Sequence, residues 1–366
     1  MTVAGEEAFA ATYREAQAKF LEAAQAAGLH VESRLHPARG REGEELAMDV
    51  ARDGHPNAPA VLVLTSGCHG VEGFCGSGVQ VAALRDASWR ARARERGVAV
   101  VYVHALNPHG FSHLRRTTHE NIDLNRNFHD FDQPLPDNPG YRDLHALLLP
   151  PQWPPSPENE MRLGQYVAAH GEGALQAIVS RGQHEFADGM FFGGTHASWS
   201  NLALRDVLRT HGHRCARLAW IDFHTGLGPT GVGERIYAGR EDAMAIARAK
   251  AWWDSGGSTP VTSIYDGSST SAYLTGLMFN AIYEECPQAE FTSIALEYGT
   301  VPLLETMQAL RGAHWLANHP QAGAQPAAEI TQRVRDAFYT DTPEWKQKVL
   351  AQARQAMRQA VDGLSG

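Results

Sequence analysis

The sequence predicts an α/β domain built on a mostly parallel sheet that is covered on both faces. Three observations predict it. Residues 60–64 and 98–103 are short, uninterrupted apolar runs, the mark of strands with no solvent-facing side. Segments of helical period separate such runs, so strands alternate with helices along the chain instead of grouping together. The 366 residues, 43% hydrophobic and 20% charged, suffice to bury a sizeable core without disulfide staples. No internal repeat or linker divides the chain, so a single domain over 1–366 is expected.

Taken in order, residues 6–27 have helical periodicity, with Phe9, Tyr13, Phe20 and Leu21 facing inward. Strand-like pieces at 31–35 and 45–50 are split by the turn-prone stretch 39–43. The buried strand 60–64 breaks at SerGlyCysHisGly, and a helix follows over 71–85. The second buried strand, 98–103, ends in HisAlaLeuAsnProHisGly. Residues 134–157 hold eight of the 19 prolines and read as an irregular surface excursion. Helices are expected at 158–180 and 201–211, and strands at 215–223 and 234–238. A helix over 242–253 precedes a Gly/Ser/Thr-rich loop at 255–271. The last clear strand is 291–297, with helices from there onward.

Charge and composition exclude several classes. Lys and Arg total 32 against 41 acidic residues, a net charge of −9. A nucleic-acid binder would need clustered cations to neutralise phosphates, and the basic run 90–96 reads as a solvated helix face. The start of the chain is charged and amphipathic, unlike a signal peptide, and nowhere do 18 apolar residues run together, so no membrane span is expected. The four cysteines form no CxxC pair. Reduced thiols in a cytoplasmic compartment are the expectation.

Four constellations carry chemistry. His69 and Glu72, three apart after a buried strand and flanked by Gly67, Gly70 and Gly73, could converge on one metal ion. Zinc needs a third protein ligand if one position is to stay open for water, and His224 in AspPheHisThrGly is the best candidate. It could equally be a strand-end histidine bonded to backbone. Asp222 would share its strand face and could support it. Arg116, Asn125 and Arg126 lie in a polar loop, where arginine's planar fork suits a carboxylate or a developing oxyanion, although such a loop could also be pinned by its own Asn and Asp turns. Glu297 ends an apolar strand, where a carboxylate is costly to bury; a general base beside a metal or an ion-pair partner would both explain it.

In this order the four resemble the zinc carboxypeptidase (metallocarboxypeptidase) superfamily, with AsnProHisGly at 107–110, Arg116 and AspLeuAsnArgAsnPhe at 123–128 as its specific signature. The resemblance implies a three-layer α/β/α sandwich with a mixed, mainly parallel sheet of eight strands. It implies that His69, Glu72 and His224 hold Zn2+ and that Glu297 is the catalytic glutamate. Arg116 would polarise the scissile carbonyl, and Asn125 and Arg126 would grip the substrate's terminal carboxylate. Tyr265, in IleTyrAspGlySerSer, would be the mobile tyrosine, with Tyr273 as runner-up.

Two departures shape the substrate expectation. AspPheHisThrGly looks more like the aspartoacylase and succinylglutamate desuccinylase branch. Residues 181–201 look like the uncharacterised bacterial carboxypeptidase-like family, domain of unknown function 2817, and an insertion over about 129–200 would shape the pocket, with His184 and His196 as possible lining residues. The expected function is hydrolysis of an amide bond beside a free carboxylate, in a peptide or an N-acyl amino acid. A deacylase and a metal-binding pseudoenzyme are the alternatives, and the intact Glu297 argues against the latter. Three other signals count for little. GlyLeuGlyProThrGly at 226–231 spells a dinucleotide fingerprint but precedes a strand rather than a helix. No GxSxG elbow occurs, and Cys68 reads as a small residue packing its turn.

Overall fold

The computed structural model describes residues 5–254 and 259–366. Eight strands form one mixed sheet: β1 (Val31–Arg39), β2 (Glu45–Asp53), β3 (Ala60–Ser66), β4 (Val98–His104), β5 (Arg217–Thr230), β6 (Gly233–Tyr237), β7 (Val261–Ser263) and β8 (Glu290–Gly299). Their order across the sheet is β1-β2-β4-β3-β5-β8-β6-β7. The central strands β4, β3, β5 and β8 run parallel, as do β6 and β7. Antiparallel pairing joins β1 to β2, β2 to β4 and β8 to β6. The sheet is therefore mixed and mainly parallel, as expected.

β3 and β4 bury every residue because helices cover both faces of the sheet. Strand alternation sorts the side chains of β3 and its neighbour β5. Leu62, Leu64, Ile221 and Phe223 enter one core, under the helices Tyr13–Ala26, Gly73–Arg85 and Pro343–Ser365. Val61, Val63, Leu218 and Trp220 enter the other, under Trp199–Gly212 and Asn280–Glu285. Each large side chain buried this way contributes about 1.5–3 kcal/mol. Trp220 also donates its indole N–H to Thr65 Oγ1 at 2.8 Å, so the second core leaves that polar atom paired.

A third core, formed by Pro139–Leu148, Glu172–Ser180, Leu303–Asn318 and Ala324–Phe338, meets the carboxyl ends of the central strands. Thr225 on β5 donates to the Phe338 carbonyl there, at 2.6 Å. Among the described residues, no helix is long and apolar enough to cross a membrane.

Three local expectations need correction. The proline-rich stretch contains the helix Pro139–Leu148, because Asn138 caps it and Pro139 occupies the first turn, where proline's missing N–H costs nothing. The helix expected over 158–180 is two helices, Pro157–His170 and Glu172–Ser180, broken at Gly171 with φ of 87°. Leu21 is 36% exposed, since the buried stripe of its helix runs through Tyr13, Ala16, Phe20 and Ala23. In the Gly/Ser/Thr-rich loop, residues 255–258 lie outside the described residues, and 261–263 form β7.

Candidate active site

The carboxyl ends of β3, β5 and β8 assemble the site. After Ser66 the chain turns at Gly67, whose φ of 69° favours glycine, and the Gly67 carbonyl accepts the Asn107 N–H. Gly70 packs so closely on the loop after β4 that a Cβ there would lie 2.0 Å from the Gly110 carbonyl carbon. The Gly70 and Val71 N–H groups donate to the Arg116 and Arg115 carbonyls. This docking turns His69 and Glu72 inward and brings Arg116 beside them. On the neighbouring strands, His224 of β5 sits directly opposite Glu297 of β8. All five side chains line one cleft, with a free volume of about 110 Å³.

His69, Glu72 and His224 can each offer a ligand atom within 4.8 Å of the others. The Nδ1 atoms of both histidines converge on the Glu72 carboxylate, His69 at 2.9 Å from Oε1 and His224 at 3.1 Å from Oε2. Their Nε2 atoms face carboxylates: His69 lies 3.2 Å from Asp123 Oδ1, and His224 contacts Asp222 Oδ2. A proton on His224 Nε2 leaves its Nδ1 lone pair free, the arrangement in which a carboxylate orients a ligand histidine, while His69 Nε2 faces both the Asp123 carboxylate and the Arg116 Nη2 donor. Two imidazoles and a carboxylate are a donor set that suits zinc. Cys68, Asp222 and His224 also lie close enough together to hold a metal. That set is poorer, because burial pushes the Cys68 thiol up and Asp222 already accepts the Thr65 hydroxyl at 2.6 Å.

Asp123 is the connecting residue that sequence reasoning passed over as part of a turn. Its Oδ1 accepts the Asn125 N–H at 3.0 Å and faces His69, while its Oδ2 accepts Arg116 Nε–H at 2.8 Å. Arg116 also donates to Glu72 Oε1 at 3.2 Å, and its Nη2 lies 2.8 Å from His69 Nε2. Burial alone would raise the Asp123 carboxyl, but Arg116, His69 and Arg126 outweigh it and hold the group well below the usual carboxylate range. The signal was present in the sequence as the first residue of AspLeuAsnArgAsnPhe.

Glu297 behaves in the opposite way. Burial, then the nearby Glu72 charge, push its carboxyl up to about 7, against the pull of His224 and the Leu227 N–H that bonds its Oε1 at 2.9 Å. A carboxyl poised there suits a proton acceptor at neutral pH. Glu72 goes down, because His69 and His224 together overcome its burial.

Arg126 is 2% exposed, and its guanidinium donates only to carbonyls, Nε to Ser180 and Nη1 to Asn125, each at 2.8 Å. Among the described residues no carboxylate forms an ion pair with it, and Nη2 has no protein partner. Burial lowers its affinity for the proton to a pKa of about 10, with Asp123 opposing. A buried cation on a cleft wall without a direct counter-charge is chemically suited to an anionic ligand. Asn125 stands beside it, its Oδ1 accepting the Met278 N–H at 3.0 Å.

Phe191 was also missed. Its ring lies 5.0 Å from the Arg116 guanidinium carbon and 5.6 Å from that of Arg126, so it meets both cations. Its φ of 51° is a strained conformation for a bulky residue. Gln176, Val179, Ser180, Met190 and Phe191 also line the cleft.

The structure does not bring Tyr265 into the cleft. Its hydroxyl donates to the Gly239 carbonyl at 2.6 Å, which holds the ring among Tyr273 and its neighbours, and Tyr273 is 50% exposed nearby. His184 bonds the Gly194 carbonyl and His196 bonds Glu120, and neither lines the cleft. The glycines at 226–231 lie in β5 and the turn to β6, with no helix opening behind them.

A mixed eight-stranded sheet with a histidine–glutamate–histidine donor set at its central strand ends is the architecture that the carboxypeptidase resemblance implies. The chain belongs to the family described as Protein of unknown function (DUF2817), whose model matches residues 9–352. No sequence relative is found among curated proteins. Among solved structures, the chain is similar to carboxypeptidase A from Helicoverpa armigera, at 14% identity and a TM-score of 0.46, covering 89% of this chain and 73% of that one. It is similar to a metallo-carboxypeptidase from Burkholderia cenocepacia, at 13% identity and a TM-score of 0.47, covering 95% and 69%. A metallo-carboxypeptidase from Pseudomonas aeruginosa, in complex with (2-guanidinoethylmercapto)succinic acid, gives 16% identity and a TM-score of 0.45 over 96% and 69%.

Proposed function

We propose that this chain is a zinc-dependent hydrolase that cleaves an amide bond next to a free carboxylate, in a peptide or an N-acyl amino acid. One observation carries the reading: a single cleft is lined at once by His69, Glu72, His224, Glu297, Arg116, Asn125 and Arg126. His69 and His224 would hold the ion through Nδ1, and Glu72 through its carboxylate. When bound, zinc would acidify water and polarise a carbonyl.

The remaining work falls to the chain's own groups. Glu297 Oε1 is tied to the Leu227 N–H, so Oε2 is the oxygen available to take the proton of the attacking water and return it to the leaving amine. Arg116, fixed by Asp123, faces the oxyanion that develops on the carbonyl. Arg126 Nη2 and the Asn125 amide N–H groups, which have no protein partners among the described residues, bind the substrate carboxylate.

The test assays blocked dipeptides, N-acyl amino acids and their C-terminally amidated forms with zinc-loaded and chelated protein. Turnover confined to the loaded protein and to free acids is expected, and the panel separates peptide from acyl substrates. Equal turnover of the amidated forms would refute the reading.

A further inference from the structure

We infer that the residue whose carboxylate Arg126 holds carries an uncharged, apolar side chain of the leucine or phenylalanine kind, seated against Ile236, Ala238, Ile264, Leu277, Phe279 and Ala295. The inference rests on the carboxylate role of Arg126 given above. Along β8 the buried Ile294 and Leu296 alternate with Ala295 and Glu297, which are partly exposed and line the cleft. Two residues before the general base, then, the same strand face offers a methyl group. Across the ladder Ala295 pairs with Ile236 of β6, and Ala238 continues that floor.

The carboxylate site and this floor are tied together. Asn125 Oδ1 accepts the Met278 N–H, and Phe128 N–H donates to the Gly276 carbonyl at 3.0 Å. The approach is so close that a Cβ on Gly276 would lie 2.4 Å from the Arg126 carbonyl oxygen. Leu277 and Phe279 are thereby fixed beside Asn125 and Arg126. A ligand with its carboxylate on Arg126 and its scissile bond at Glu297 has its side chain on this apolar wall.

The charged side chains lining the cleft are His69, Glu72, Arg116, Arg126, His224 and Glu297, all engaged in the chemistry already assigned. A lysine or glutamate side chain on the substrate would lose its water and meet no counter-charge. The free volume of about 110 Å³ leaves room for a large apolar side chain.

The experiment compares zinc-loaded protein on blocked dipeptides and N-acyl amino acids ending in Leu, Phe, Ala, Lys, Glu or Asp. It also measures binding of free L-phenylalanine and L-lysine by calorimetry. Leu and Phe are expected to exceed Lys, Glu and Asp by at least about 10²-fold in kcat/KM. Ala295→Leu fills the floor, and should cut kcat/KM for Phe by at least about 10-fold more than it cuts kcat/KM for Ala. Faster release of a charged residue overturns the inference, as does an Ala295→Leu variant that handles Phe and Ala alike. If no substrate is cleaved, selective binding of L-phenylalanine supports the pocket and refutes hydrolysis, whereas equal binding of L-lysine overturns the pocket itself.

Discussion

Asp123→Asn should damage the site in two separable ways, because Asp123 holds both His69 and Arg116. The carboxylate faces two donors, His69 Nε2 on Oδ1 and Arg116 Nε on Oδ2. An asparagine can accept on one side only, so its NH2 must confront either the imidazole N–H or the guanidinium. Loss of a carboxylate behind a ligand histidine costs about 10–100-fold in metal affinity. Loss of the charge-assisted bond to Arg116 is worth about 1.5–3 kcal/mol, or roughly 10–10²-fold in rate. Zinc affinity is measured by chelator competition, and kcat/KM is then taken at saturating zinc. The variant should need 10–100-fold more zinc and still fall about 10–10²-fold short of the parent once loaded. Asp222→Asn is the control, since Asp222 touches His224 and Thr65 but not Arg116. It should lose zinc affinity and recover full activity with excess metal. If Asp123→Asn also recovers fully, Arg116 is not held for catalysis by Asp123, and the reasoning fails.

Arg126→Ala should cost about 10²–10³-fold in kcat/KM on a free-acid substrate but little more on its amidated analogue; simple additivity of the two losses in a double-mutant cycle would remove Arg126 from carboxylate recognition. Phe191→Ala should lower kcat/KM by about 2–30-fold, the range of one ring–cation contact, and unchanged steady-state kinetics would make the ring mere filling. In the metal-free protein, the raised Glu297 carboxyl makes stability fall as pH rises from about 4.5, its unfolded value, through about 7. Denaturant unfolding of Glu297→Gln and the parent should therefore diverge in favour of the variant by up to ~3 kcal/mol between pH 4.5 and 8, and parallel curves would contradict the buried setting of Glu297.

What the sequence made legible follows from how local each signal is. The strands 60–64 and 98–103 were visible because a strand buried on both faces is apolar throughout, and both appear as β3 and β4. The histidine–glutamate–histidine set was visible because two of its members sit three apart beside glycines and the third ends a strand. Asp123 was not, because its importance lies in contacts to residues 54 and seven positions away, which no spacing rule reveals. Pro139 misled because a proline at a helix start looks the same in sequence as one that breaks a helix. Tyr265 was placed by motif alone, and its hydroxyl is spent on Gly239, a contact made only when β6 and the 264–279 loop come together. Phe191 depends on a positive φ and on two arginines distant in sequence, features that only the folded chain displays.

The central claim is that one metal-binding set and one general base share the cleft, and it is tested by measuring zinc content and turnover together in His69→Ala, His224→Ala and Glu297→Gln. The two histidine variants should lose both zinc and activity. Glu297→Gln should keep one zinc per chain and its fold, while turnover drops by at least about 10²-fold. Full zinc in both histidine variants, or near-normal turnover in Glu297→Gln, would contradict the account.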